Sequence, residues 1–134
     1  MFRRRERRVA LPGVRRAHDA FKRAVADVDE AKATLFLGVP SGRKPKVPLA
    51  EAVWAFEEHL RRARDAMPSW RLEQVEDAWS ECAAGLELAA RRAEELRRHG
   101  ASDAYEDLVP ILDEVMAPLD AFAKAAARFH ELGA

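Results

Sequence analysis

Between Leu49 and Met67 the apolar residues Leu49, Val53, Phe56, Leu60, Ala63 and Met67 recur at steps of 4, 3, 4, 3 and 4. An α-helix turns once in about 3.6 residues, so this spacing draws a single apolar stripe along one helical face. A strand, whose sides alternate every second residue, would scatter it. The pattern returns in Leu72, Val75, Trp79, Cys82, Leu86, Ala89, Ala93 and Leu96, and again in Tyr105, Leu108, Leu112, Val115, Leu119, Phe122, Ala126 and Phe129. Before them, Val14, Ala17, Phe21, Val25, Val28 and Leu35 follow it more loosely. No such stripe is buried by its own helix, so four of them must cover one another. Composition agrees: 27 Ala and 13 Leu stand against 10 Val, one Ile and one Thr, which lowers the cost of helix and leaves a sheet without its favoured residues.

Proline and glycine mark the ends. Pro12 and Pro48 suit first helical turns, where a missing N–H costs nothing. The run from Gly38 to Pro48 holds three prolines and two glycines and reads as a connection. Pro68 ends the second stripe and Ser69 is an expected N-cap for the third. Gly100 is the expected stop of the third helix, and Ser102 or Asp103 the expected cap of the fourth. Pro110 and Pro118 fall within the last stripe and predict kinks, or a break near Pro110. The expectation is an all-α protein, an antiparallel up-down-up-down four-helix bundle over residues 12–134, with helices at about 12–36, 49–67, 70–99 and 103–131. Residues 1–11 are left as a basic arm, and the last helix is kinked.

The chain's formal charge is zero, but residues 1–48 carry 13 Lys and Arg against 5 Asp and Glu, and residues 49–134 carry 10 against 18. Nucleic-acid binding would rest on the first part: Arg3, Arg4, Arg5, Arg7 and Arg8 of the arm, with Arg43, Lys44 and Lys46 of the first connection. Against it stand the absence of a stacking platform, since Phe2 is the arm's only aromatic, and the acidity of the remaining domain. A lone cysteine, Cys82, excludes an intrachain disulfide, and no apolar run approaches the ~18 residues of a membrane span. A cytoplasmic protein is the expectation.

Chemistry-bearing patterns are sparse. The stripes contain no carboxylate, and no His follows a Glu by three residues, so the di-metal sites of carboxylate bundles are not expected. His18 and His130 would meet at one end of an antiparallel bundle and form a candidate metal pair; the plainer reading is two boundary histidines with wet tips. No cofactor is expected. The segment Arg92-Ala-Glu-Glu-Leu-Arg-Arg-His99 resembles the Arg, six-residue gap and His of HEPN-type ribonucleases, which are also small helical bundles. Over those eight residues the resemblance implies that Arg92 holds a scissile phosphate and His99 acts as acid and base. Ala93 stands where that family usually has a polar residue. Without the resemblance, Arg92 lies on a solvated face and His99 complements a helix C-terminus.

What remains is a non-catalytic module that binds another protein or itself as a homodimer. Trp54 lies beside Val53 but off the second stripe, and Trp70 falls at the expected start of the third helix. Val109 and Met116 begin a second apolar row on the last helix that Ala123 continues. These four are the interface candidates, because aromatic and apolar residues at the edge of a core are favoured anchors.

Overall fold

A computed structural model describes residues 11–39, 45–99 and 105–134. Helix α1 spans Pro12–Phe36, α2 Leu49–Asp65, α3 Glu76–His99, α4 Tyr105–Met116 and α5 Ala121–Glu131. Short 3-10 turns at Met67–Trp70 and Glu73–Val75 lead from α2 into α3, and a third at Ala117–Asp120 divides the last helix into α4 and α5. Four helical rods with no strand among the described residues make an all-α bundle. No described helix is long and apolar enough to cross a membrane.

The stripes meet as their spacing demands. All six residues of the second stripe are buried, as are Cys82, Leu86, Ala89, Ala93 and Leu96 of the third. No polar or charged residue joins them among the described buried positions. On α1 the buried face takes in Ala20, Ala24 and Ala31 and leaves Val25 only half-buried. Small side chains let a helix axis approach closely, and α1 packs most extensively on α2.

Polar contacts join neighbouring helices at several points along their length. Gly38, just past α1, faces Leu49 and Ala52 at the head of α2, while Asp27 lies 3.4 Å from His59. Glu57 binds Arg97 at 2.7 Å, and the carbonyl of Met67 accepts a hydrogen bond from Trp79 at 2.8 Å. Arg92 reaches Glu114 at 3.6 Å, Glu81 accepts from Lys124 at 2.9 Å, and Arg128 donates to the carbonyl of Gln74 at 2.9 Å.

Three expectations are corrected. The third helix does not begin at residue 70 under a Ser69 cap: Ser69 closes a turn on Ala66, Arg71 and Leu72 are extended, and the α-helix starts at Glu76. Glu73, Glu76 and Asp77 then put negative charge at its positive N-terminal end. The second correction concerns Pro110, which lies inside α4 without breaking it, whereas the interruption falls at Pro118. The third concerns α5, where Ala125 is buried in place of Ala126 and Ala123 is exposed. At about 100° per residue Ala125 and Ala126 lie on either side of the Phe122 and Phe129 direction, so steps of three and four do not choose between them. The expected stop at Gly100 and caps at Ser102 and Asp103 lie outside the described residues.

Candidate binding surfaces

Of the basic candidates, Arg3, Arg4, Arg5, Arg7, Arg8, Arg43 and Lys44 lie outside the described residues. Lys46 is exposed, and its backbone N–H, with that of Val47, ties the connection to the carbonyl of Leu37. Arg92 is engaged by Glu95 at 3.5 Å and Glu114 at 3.6 Å, and the side chain of His99 lies outside the described set.

The three tryptophans have three different environments. Trp70 is corrected as an interface candidate, because it is fully buried. The turn after Pro68 swings it inward, where its ring packs on Phe21 at 4.8 Å, Phe129 at 6.0 Å and Phe122 at 6.2 Å. This aromatic cluster joins the start of α1, the turn after α2 and all of α5. The indole N–H of Trp70 has no partner there. An orphan donor costs about 1–3 kcal/mol, and burying about 150–250 Å² of ring returns about 4–6 kcal/mol at roughly 25 cal/mol per Å², so burial wins. Trp54 is the opposite case. It is two residues from buried Phe56, about 200° round the helix, and is 62% exposed. It makes no hydrogen bond or ring contact among the described residues.

Trp79 is half-buried and held from two sides. Its Nε1–H donates to Met67, and the Arg71 guanidinium lies 3.9 Å from its ring centre. A bidentate pair with Glu76, at 3.1 and 2.8 Å, fixes Arg71 in turn. Trp79 thereby walls a hollow of ≈ 630 Å³ whose apolar surface includes Met67, Pro68 and Leu86. Nothing in the spacing of the sequence announced it, because it needs the turn at Met67–Trp70 to lie across α3.

Val109 and Met116 are half-buried, and Met116 packs on the core. The His18 ring lies tilted against Phe129 at 5.1 Å while His130 is exposed, and no three His, Cys, Asp or Glu side chains cluster for a metal among the described residues. Burial, reinforced by Lys22 and opposed by Asp19, pushes the His18 imidazole below its ordinary value of 6.5. Cys82 is buried, and that desolvation raises its thiol to about 12, far from a reactive thiolate.

The surface charges pair mostly at i,i+3 within a helix or across to a neighbouring helix. The i,i+4 partners Glu57 and Arg61, Glu58 and Arg62, Glu87 and Arg91, and Glu94 and Arg98 are not paired among the described residues. Arg61 instead bridges Glu58 at 2.9 Å and Asp65 at 3.1 Å, and Arg97 crosses to Glu57. No family model, curated protein or solved structure matches the chain.

Proposed function

We propose that this protein is a non-catalytic interaction module, binding a partner protein or a second copy of itself through the outer face of α2. The observation that carries the reading is Trp54. A large aromatic side chain, 62% exposed and turned away from the core, leaves most of its apolar surface in water. Around it the outer face of α2 is polar, with Glu58, Arg61 and Asp65 tied into one ion-paired row. An isolated aromatic rimmed by charge has the composition of a binding anchor, since Trp is enriched where truncation costs most at interfaces. Phe36 and Leu37, at the end of α1, are likewise exposed apolar residues, at 56% and 41%.

A photo-reactive benzophenone side chain placed at Trp54 in the native host tests this, with the same group at exposed Glu30 as control. A discrete covalent adduct from Trp54 alone is expected, at twice the chain mass if the partner is a second copy. Equal labelling from the two positions, or none, overturns the reading.

A further inference from the structure

We propose that the basic arm of this chain folds back onto the furrow between the start of α3 and the end of α5 and is held there as an intramolecular clasp. The proposal goes beyond the reading of Trp54 and does not rest on it, because the furrow belongs to other helices.

Charge balance comes first. Residues 1–10 carry five arginines and one glutamate, so residues 11–134 hold a net charge of −4 and the whole chain none. Half of that excess lies in one furrow, a hollow of ≈ 550 Å³ lined at its apolar part by Val75, Ala78 and Ala127. Its rim holds five carboxylates against Lys124 and Arg128. Arg71 reaches in to Glu76 and offsets one more, so two negative charges remain. Lys124 is spent on Glu81 and Arg128 on Glu131, while Glu73 and Asp77 have no ion-pair partner among the described residues. The N-terminal end of α3 supplies about half a positive charge, which does not cancel two. The complement of this furrow is a cationic segment.

Reach then selects which one. Phe21 meets both Phe122, at 6.1 Å, and Phe129, at 5.0 Å, whereas His18, one turn earlier, meets only Phe129 of that helix, at 5.1 Å. Going back along α1 therefore leads toward the Glu131 end of α5. Arg128, next to Phe129, donates to the carbonyl of Gln74 at that same end of the furrow. The arm departs from α1 at Pro12. Extended chain covers about 13–14 Å between Pro12 and Arg8 and about 23–25 Å between Pro12 and Arg5, and the helix to be crossed is about 10–12 Å wide. Arg5, Arg7 and Arg8 are thus within range of Glu73 and Asp77. A tethered segment docks at an effective concentration in the millimolar range, so a few weak ion pairs suffice to hold it. A separate basic protein has no such advantage.

The test attaches a nitroxide to the full chain through Glu6→Cys, which keeps all five arginines, and records amide NMR; Cys82 is buried and stays unlabelled. Broadening is expected at the amides of residues 73–81 and 124–131 and not at those of α2. It should vanish in 1 M NaCl, where charges act over only about 3 Å. Glu73→Gln with Asp77→Asn should weaken docking by about fivefold, the worth of two exposed ion pairs, and reduce the broadening accordingly. Asp29→Asn with Glu30→Gln removes the same charge from an exposed stretch of α1 and should leave it unchanged. Both pairs replace exposed side chains, so dispersed amide spectra accompany each result. Broadening spread over the whole surface, broadening that persists in salt, or an equal response to the two pairs of substitutions overturns the proposal. So does broadening of an isotope-labelled, nitroxide-free chain mixed with an unlabelled chain carrying the nitroxide, which would give the furrow to the arm of a second copy.

Discussion

Gly85 stands where α3 passes the turn that splits the last helix. A Cβ there would fall 2.3 Å from the carbonyl oxygen of Pro118 and 3.2 Å from its carbon, both backbone atoms that cannot swing aside. Gly85→Ala should cost about 1–3 kcal/mol, the range for overpacking a core. Gly13, in α1, has nothing within 4 Å of the same added carbon. Gly13→Ala should therefore gain about 0.5 kcal/mol through its smaller entropy loss on folding. Urea unfolding of both variants checks the pair, and a Gly85→Ala chain as stable as its parent would show that this approach is not a constraint. Both glycines sit in helical patterns and look alike in the sequence; the distinction comes from a neighbour distant along the chain. The same holds for Trp54 and Trp70, each read as a boundary residue. Helical spacing put Trp54 outside correctly, because α2 is regular. It failed for Trp70, which is not in an α-helix.

At the scale of the element, the two prolines of the last helix divide the roles expected of both. Pro110 is exposed within α4, where it forgoes one backbone hydrogen bond and leaves the helix continuous. Pro118 lies in the 3-10 turn that separates α5 from α4, and its carbonyl oxygen occupies the space that a Cβ at Gly85 would need. Restoring an N–H with Pro110→Ala should stabilise by about 1–2 kcal/mol, the interior penalty of proline less its stiffening of the unfolded chain. Calorimetry should show a melting temperature a few degrees higher. A lower one would mean that the proline ring, not the lost bond, dominates. The sequence places a proline on the helix but says nothing about which one the neighbouring helix needs. For α2 and the body of α3 the legible content was larger, because their stripes contain no proline and each buried position followed from the one before.

In the whole molecule, the aromatic cluster ties the beginning of α1 to the turn after α2 and to α5, and His18 sits at its margin on Phe129. Folding lowers the affinity of His18 for protons, chiefly by desolvation. The unfolded chain then binds more protons as the solution is acidified, so this group's contribution is complete above its ordinary 6.5 and is lost as pH falls through the depressed folded value. Urea unfolding at about pH 7.5 and about pH 5.5, either side of a free histidine's titration, should show stability falling with acid. The fall should be smaller in His18→Gln. An identical decline in both proteins would place the proton uptake elsewhere.

The sequence by itself determined that this chain is helical, where its four apolar stripes run and that no carboxylate or histidine is built into them. Those properties depend on the periodicity of the backbone and on what each residue costs to bury, both of them local. Only the tertiary structure decided that Trp70 is core, that Ala125 rather than Ala126 faces inward, and that Gly85 has no room for a side chain. Each of these depends on a contact between segments distant along the chain, and a stripe of spacings carries no information about that.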